Sequence, residues 1–278
     1  MVRLEEALRL IPDIDIDLGN CGRIAAYGLP PPVVITLARR SDRWAAALRR
    51  LREQGVQRII KATAADGHTL PQNLLASLMV DPAVVDSPPS HYLQMTRPAV
   101  GCFLSHLMIW KSFLLSGADY VLILEDDAVL ARGYTAEQGR AAMAKIPKDA
   151  DILLFGCTIM DGLAEPTEDS TLTRVYYYNG TYGYLLTRRG CRNLLPRLMP
   201  IETHIDNQIS LELVRNRDTL RVYCTERRLI EHDFTVYSDV YIPVDDVARA
   251  DRQLDTIFKE SRAALVEHGA RLFNMYSP

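Results

Sequence analysis

Residues 120–130, which read Y-V-L-I-L-E-D-D-A-V-L, decide the fold. Residues 121–124 form a continuous apolar run, typical of a strand that is buried on both faces of a sheet. The run stops at Glu125, Asp126 and Asp127, and apolar residues resume at 128–130. Three adjacent carboxylates repel one another, and burying them without a partner would be costly. The stretch therefore predicts a buried strand that ends in a charged site requiring compensation.

A divalent cation at the carboxyl end of this strand is the simplest compensation. Carboxylate oxygens suit Mg²⁺ or Mn²⁺, which bind through one or two carboxylates together with the phosphates of a substrate. A solvated turn after the strand is the other interpretation, and the residues alone leave both open.

Composition bounds the class of protein to which this stretch belongs. The chain has 278 residues, of which 48% are hydrophobic and 24% charged, which fits one large α/β domain or two small ones. A net charge of −3 argues against a general nucleic-acid binder, because no basic excess is available for phosphates. The five cysteines lack C-x-x-C spacing, so we expect free buried thiols rather than disulfides or a zinc site.

The sequence also indicates where in the cell the protein is located. The first ten residues, M-V-R-L-E-E-A-L-R-L, are too acidic and too short in apolar content for a signal peptide. No run approaches the roughly 18 apolar residues of a membrane span. We expect a soluble cytoplasmic protein without a transmembrane segment.

The chain opens with a β-α-β pattern after an N-terminal extension, residues 1–32. Residues 33–37 predict a strand, Ser41 is a plausible N-cap of a following helix, and Gly55 is placed to end that helix. Residues 56–61 predict a second strand. This order is typical of a parallel sheet with helices on its faces, an α/β fold.

Three arginines, Arg39, Arg40 and Arg43, lie where the first strand leads into the first helix. In open α/β sheets this carboxyl edge is where ligands bind. The other interpretation is a solvated basic turn.

Residues 100–115 predict a helix with two apolar sides, which indicates a buried helix. His106 shares one of these sides with Ile109 and Trp110. It is either a core histidine with one hydrogen-bonded nitrogen or a ligand-binding residue.

The remaining pattern predicts further alternating elements. Helices are expected at 72–80, 135–145, 188–198, after 200–210 and at 247–272, with strands at 151–155 and 220–224 and a loop at 157–170. Residues 173–178 and 182–186 read as two strands that flank Asn179 and Gly180, a signal for a β-hairpin.

Five motifs together resemble glycosyltransferase family 25. They are V-I-T-L-x-R-R-x-D-R-W (34–44), A-x-x-A-D-G-x-x-L (62–70), G-C-F-L-S-H-L-x-x-W (101–110), Y-V-L-I-L-E-D-D-A (120–128) and G-T-Y-G-Y-L-L-T (180–187). This family contains lipooligosaccharide galactosyltransferases and collagen hydroxylysine galactosyltransferases. The resemblance covers roughly residues 33–240.

The resemblance implies a GT-A fold, in which a Rossmann-like nucleotide-binding half and an acceptor half share one mixed sheet. The expected domain is 33–246, with residues 247–278 forming a C-terminal helix packed on it. The implied ligands are a nucleotide-sugar donor, usually UDP-galactose, a glycan or glycosylated acceptor, and Mn²⁺ or Mg²⁺. A membrane-borne acceptor would require only peripheral contact with the membrane.

The resemblance also assigns roles to individual residues. Glu125 and Asp127 of the DxD-like motif and His232 would bind the metal. Donor-binding residues would be Thr36, Leu37, Arg39, Arg43, Asp66, Ser105, His106, Glu125, Asp126 and Thr181.

Inversion at the anomeric carbon needs a carboxylate base that deprotonates the acceptor hydroxyl. Asp206 resembles the family's acidic position before a helix, and a helix N-cap is its other interpretation. Glu202 is the next candidate.

Two other functions share parts of this pattern. A metal-dependent nucleotidyltransferase would ordinarily carry a glycine-rich phosphate loop after the first strand, and A-R-R-S-D-R has no glycine. A protein that binds a sugar nucleotide without turnover would be favoured by an eroded acid motif, but E-D-D is intact.

Overall fold

The structure is a computed structural model that describes residues 3–19, 21–86, 95–159, 163–233, 235–236 and 239–240. The predicted helix at 247–272 lies outside these residues.

The described residues contain seven α-helices and ten strands. The helices are α1 (Leu4–Leu10), α2 (Ser41–Glu53), α3 (Gln72–Leu78), α4 (Arg97–Leu115), α5 (Ala136–Ala144), α6 (Arg188–Leu194) and α7 (Ile205–Arg215). The strands are β1 (Pro32–Thr36), β2 (Ile60–Thr63), β3 (Tyr120–Glu125), β4 (Ala128–Leu130), β5 (Ile152–Ile159), β6 (Ala164–Pro166), β7 (Leu172–Val175), β8 (Tyr178–Thr187), β9 (Val222–Thr225) and β10 (Ile230–His232).

Eight strands form one mixed sheet in the order β2-β1-β3-β8-β5-β9-β7-β6, while β4 and β10 form a separate antiparallel pair. β1 runs parallel to both β2 and β3, and Ile35 lies opposite Glu125. The carboxyl ends of β1 and β3 therefore meet at one edge of the sheet. The expected mixed α/β architecture is confirmed.

Helices cover both faces of this sheet because the central strands are apolar on both sides. Val121 and Ile123 pack in one cluster with residues of α4 and α6, whereas Leu122 and Leu124 pack in a second cluster with residues of α2 and α5. All four strand residues are at most 2% exposed. The strand buried on both faces is thus confirmed.

The α2 helix begins and ends for local reasons. Its N-cap is Arg40, so the prediction that Ser41 caps the helix is wrong; Ser41 is the first helical residue. At the other end Gly55 has a φ of +87°, and its N–H and that of Val56 donate to the carbonyl oxygens of Arg52 and Leu51. This is a Schellman termination, which favours glycine. The following strand begins at Ile60, four residues later than the prediction.

The α4 helix starts three residues earlier than predicted, because Thr96 caps it and Pro98 occupies its first turn. By length and composition α4 is able to cross a membrane, but 67% of the relevant window is buried inside the protein. Phe103, Trp110 and Phe113 are fully buried, which identifies α4 as a core helix.

The predicted hairpin around Asn179 and Gly180 is wrong. β8 runs through both residues without a break and lies between β3 and β5, while β7 pairs with β6 and β9. Gly180 has a φ of +91°, which the strand absorbs as an irregularity in its pairing with β5. The predicted loop at 157–170 also contains the end of β5 and the short edge strand β6.

The described part of the N-terminal extension contacts the same core. Ala7, Ile11, Leu18 and Cys21 are buried in the cluster that contains α4, and Lys111 Nζ donates to the Ile11 carbonyl at 2.7 Å. The division of the chain at residue 32 remains a prediction. All five cysteines are free, as expected, and Cys102 alone among them is half-buried rather than buried.

Replacing Gly101 by alanine tests the packing of α4 against the neighbouring loop. A Cβ atom on Gly101 would lie 2.6 Å from the Ala65 carbonyl oxygen and from the Gly67 amide nitrogen. Alanine improves helix propensity by about 1 kcal/mol, but a clash with backbone atoms costs about 1–3 kcal/mol. We expect Gly101→Ala to lower the free energy of unfolding in urea. Gly22→Ala is the control, because its Cβ meets nothing closer than 3.5 Å. Equal losses in the two variants would contradict this account.

Candidate active site

A cleft opens at the carboxyl ends of β1 and β3. Its position at this edge suits a small-molecule ligand. The polar residues that line it are Thr36, Arg39, Arg43, Asp66, Cys102, Ser105, His106, Glu125, Asp126, Asp127 and Asp239, and Leu37 adds an apolar wall. Most of the predicted donor-binding residues are thus brought together.

The guanidinium of Arg43 compensates the adjacent acids. It donates to Asp126 Oδ1, to Asp127 Oδ2 at 3.0 Å and to Asp239 Oδ2 at 3.1 Å. The side chains of Arg43, Asp126 and Asp127 are all at most 9% exposed. The interpretations of a solvated acidic turn and, for Arg43, a solvated basic turn are therefore wrong: both segments are buried against each other.

Burial still disfavours the charge on Asp126. Desolvation raises its pKa to about 6, against the opposing attraction of Arg43. Asp126 therefore lies in an environment that only partly offsets the cost of its charge.

The other two arginines lie at the mouth of the cleft. Arg39 Nε donates to Asp66 Oδ2 at 2.8 Å, and Arg40 NH1 contacts both Asp239 oxygens at 2.8 and 2.7 Å. Asp239 thus accepts hydrogen bonds from Arg40 and Arg43, with Arg39 NH1 at 3.5 Å. Sequence reasoning missed Asp239, which no motif marks. Guanidinium groups that converge on one carboxylate can also bind a diphosphate.

Glu125 faces a different wall of the cleft. Its Oε1 accepts a hydrogen bond from Thr181 Oγ1 at 2.8 Å and lies 3.7 Å from His106 Nε2. Burial raises the pKa of Glu125, but the attraction of His106 and the hydrogen bond from Thr181 outweigh burial, and its pKa lies below the usual value. The pairing of β8 with β3 places Thr181 here.

His106 is fully buried, and its Nδ1 lies 2.8 Å from the Tyr184 hydroxyl. The interpretation as a core histidine with one hydrogen-bonded nitrogen is confirmed for that side of the ring. His106 is also a lining residue of the cleft, and its Nε2 has no hydrogen-bond partner in the part of the chain that the structure describes.

Ser105 also lines the cleft, but its hydroxyl already makes two hydrogen bonds within the protein. It donates to the Gly101 carbonyl at 2.6 Å and accepts from the Ala65 N–H at 2.9 Å, which ties the segment after β2 to α4.

Asp127 and His232, two of the three predicted metal ligands, lie side by side, whereas Glu125 faces the other wall of the cleft. His232 Nε2 lies 3.3 Å from Asp127 Oδ2, and the β4–β10 pairing places His232 opposite Ala128. Burial lowers the pKa of His232, but its contact with Asp127 outweighs burial and raises it. Asp127 Oδ1 is buried without a hydrogen-bond partner among the described residues. An unused buried carboxylate oxygen beside an imidazole fits a divalent cation.

A second group of atoms that could ligate a metal ion lies next to these residues. Cys102 Sγ, a His106 ring nitrogen and a Glu125 carboxylate oxygen are within 4.8 Å of one another. Sequence reasoning missed Cys102, although its position four residues before His106 on one helix face carries the signal.

Asp206 does not line the cleft. Its Oδ2 accepts from the Gly180 N–H at 2.8 Å and its Oδ1 from the Asn207 N–H at 2.9 Å. The N-cap of α7 is His204, so the interpretation of Asp206 as the cap residue is wrong. Its carboxylate instead joins the first turn of α7 to β8.

Residues 30–209 match the sequence family described as "Glycosyltransferase family 25 (LPS biosynthesis protein)". The chain belongs to glycosyltransferase family 25. The matched segment contains the whole β1–α2 turn, the acid motif, Thr181 and Asp206, whereas His232 and Asp239 follow it.

Curated relatives of this family 25 chain carry different names. Procollagen galactosyltransferase 1 of Danio rerio is 29% identical over 205 residues, which is 70% of this chain and 33% of that protein. Inactive glycosyltransferase 25 family member 3 of Mus musculus is 29% identical over 196 residues, 65% of this chain and 32% of that protein. A glycosyltransferase 25 family member of Aedes aegypti is 29% identical over 190 residues, which is 62% of this chain and 30% of that protein. The chain spans about a third of the length of these relatives.

Replacing Arg43 tests its role as the compensating charge. Arg43→Ala leaves a buried group of carboxylates without their cation, and breaking a buried ion pair costs about 3–5 kcal/mol. Arg39→Ala is the matched control, because its side chain is 39% exposed and exposed pairs contribute about 0–1 kcal/mol. We expect the larger loss of unfolding free energy in urea for Arg43→Ala, and partial recovery on adding Asp126→Asn. A loss of unfolding free energy no larger than that of Arg39→Ala would mean that Arg43 does not compensate the charge of the buried carboxylates.

Proposed function

We propose that this chain is a metal-dependent glycosyltransferase of GT-A fold. It moves a hexose, by family resemblance galactose, from a UDP-sugar to a hydroxyl of a glycan or glycosylated acceptor, with inversion. One observation carries the proposal: arginines and buried acids converge in one cleft at the carboxyl ends of β1 and β3.

The arginines suit the diphosphate of the donor. Arg40 and Arg43 already hold the Asp239 carboxylate, an anion of the kind that a phosphate group would replace. Arg39, paired with Asp66 at the mouth of the cleft, is placed to add a further contact. Thr36, Leu37 and Asp126 form the floor on which the nucleotide would lie.

Asp127 and His232 would hold Mn²⁺ or Mg²⁺, with Glu125 as a further candidate ligand. The unused Asp127 Oδ1 is the strongest support. When bound, the cation stabilises the negative charge that develops on the leaving diphosphate.

Asp206 is the proposed base that deprotonates the acceptor hydroxyl. It lies outside the cleft lining, but its charge helps to raise the pKa of Cys102, a thiol that lines the cleft, after the larger effects of burial and Glu125. The backbone N–H of Gly180 fixes the carboxylate in place.

The acceptor is inferred from the family, and the location from the amino-acid sequence, rather than from the cleft. We propose a cytoplasmic enzyme of lipooligosaccharide biosynthesis that meets a membrane-borne acceptor by peripheral contact.

A second candidate is a protein that binds a sugar nucleotide without turnover. Several relatives are named inactive or probable inactive family members, and Arg43 occupies the carboxylates that a cation would need.

Two measurements test these proposals. Thermal shift with a panel of UDP- and GDP-sugars, with and without Mn²⁺, should show the largest stabilisation with a UDP-hexose plus Mn²⁺. UDP release, measured with several divalent cations, should then depend on an added glycan acceptor and stop in EDTA. Binding without UDP release under any of these conditions favours the non-catalytic candidate, and the absence of any stabilisation by nucleotide sugars refutes both.

Asp127→Asn tests the metal assignment. The amide keeps the shape of the side chain but removes the charge that attracts the cation. We expect Mn²⁺ binding by titration calorimetry and UDP release to be lost, while the folded structure is kept. Asp218→Asn, at an exposed carboxylate far from the acid motif in sequence, is the control. Full activity in Asp127→Asn, or activity unaffected by EDTA, would remove Asp127 from the metal site.

Asp206→Asn tests the base. Asparagine keeps the size and accepts a hydrogen bond from Gly180, but it has no useful proton affinity. We expect turnover to fall by at least about a hundredfold, with unchanged donor affinity, because the base acts only when the acceptor attacks. Glu202→Gln is the matched comparison. Near-normal turnover in Asp206→Asn with a large loss in Glu202→Gln would transfer the role to Glu202.

A further inference from the structure

A buried chain of hydrogen bonds fixes the tautomer of His106. Trp110 Nε1 donates to the Tyr184 hydroxyl at 2.8 Å, and the same hydroxyl lies 2.8 Å from His106 Nδ1. The indole N–H can only donate, so the Tyr184 oxygen accepts from it and the Tyr184 proton needs another acceptor. His106 Nδ1 is the available acceptor. The imidazole proton therefore lies on Nε2.

This Nε2–H is an unused donor in the wall of the cleft, which His106 lines. It is buried without a hydrogen-bond partner among the described residues. Leaving a buried donor without a hydrogen bond is costly. The nearest acceptor is Glu125 Oε1 at 3.7 Å, which is beyond hydrogen-bond distance. Thr181 holds that carboxylate in place at 2.8 Å. A fixed donor and a fixed acceptor thus lie side by side with a gap between them.

The gap selects the chemistry of its ligand. A metal ion is disfavoured, because Nε2 carries a proton and the Tyr184 hydroxyl would lose its acceptor if that proton moved to Nδ1. A phosphate would be repelled by the Glu125 carboxylate, and an ammonium by the Nε2–H. A hydroxyl can accept from Nε2–H and donate to Glu125 at once.

We propose that His106 and Glu125 form a pair that recognises one hydroxyl of the donor sugar. The inference rests on the proposed function, and it assigns sugar selectivity to a wall of the cleft separate from Asp127 and His232. Tyr184 and Trp110 are positioning residues, because they set the imidazole tautomer without touching the ligand.

Such a pair distinguishes sugars that lack the hydroxyl. A site built to hydrogen-bond a hydroxyl rejects the analogue without it, because its own buried groups are then left unpaired. We expect one monodeoxy analogue of UDP-galactose to bind roughly tenfold or more weakly than UDP-galactose itself.

Titration calorimetry on the full chain tests the pair. The ligands are UDP, UDP-galactose and each monodeoxy analogue, and the variants are His106→Phe and Glu125→Gln. Both variants should lose the discrimination against the one analogue, and His106→Phe should bind UDP as the wild type does. The second variant keeps the test decisive if His106→Phe does not fold.

Three calorimetric outcomes overturn the inference. In the first, the wild type binds UDP but treats all monodeoxy analogues alike, and the proposed function stands. In the second, Glu125→Gln weakens UDP and every analogue equally, which assigns Glu125 to the cation or the nucleotide. In the third, the wild type does not bind UDP, which refutes the proposed function as well.

Nitrogen NMR of the imidazole tests the positioning step without any ligand. We expect the Nε2-protonated tautomer of His106 in the wild type and a change in the tautomer populations in Tyr184→Phe. Tyr134→Phe is the control, since its hydroxyl donates to the Tyr27 carbonyl instead. An Nδ1-protonated ring in the wild type would overturn the inference.

Discussion

The site depends on one buried interaction, the contact of the Arg43 guanidinium with Asp126 and Asp127. It joins the first turn of α2 to the end of β3, and through Asp239 it also holds the segment after β10. Removing ions from water is expensive, so such a cluster contributes little net stability compared with apolar packing. Its effect is to hold charged side chains in fixed places at the sheet edge. The cleft is therefore pre-organised for charged ligands at a cost to the stability of the fold.

The three consecutive acids of the E-D-D motif lie on different walls of the cleft. Successive side chains of a strand point to opposite faces, and Glu125 is the last residue of β3. Glu125 accordingly contacts Thr181 and approaches His106, while Asp126 and Asp127 contact Arg43. The E-D-D motif is therefore not a single set of metal ligands. Three neighbouring carboxylates in sequence amount to two sites in space.

The parts of this arrangement that local patterns determine could be predicted. The apolar run at 121–124 gave a buried strand, and an arginine-rich turn after β1 had to lie near its carboxyl end. What could not be predicted depends on pairing between distant segments. Asn179 and Gly180 look like a turn locally, but the ladders of β8 with β3 and β5 override that signal. Asp239 enters the cleft only after the β4–β10 pair has turned the chain back, and no local pattern encodes that.

The ion pairs of Arg43 also connect the two ligands of the proposed reaction. A cation that binds Asp127 alone has to compete with the guanidinium, and a diphosphate that binds the arginines alone has to displace Asp239. If both bound, Arg43 would exchange carboxylates for phosphate oxygens and Asp127 would exchange a guanidinium for the cation, so neither buried charge would be left unpaired. Each ligand then lowers the cost of binding the other, and linkage makes the effect reciprocal. Under the proposed function, such a cleft would admit cation and nucleotide together more readily than either one alone, and an acid motif already neutralised by arginine would then be able to serve a metal-dependent transferase.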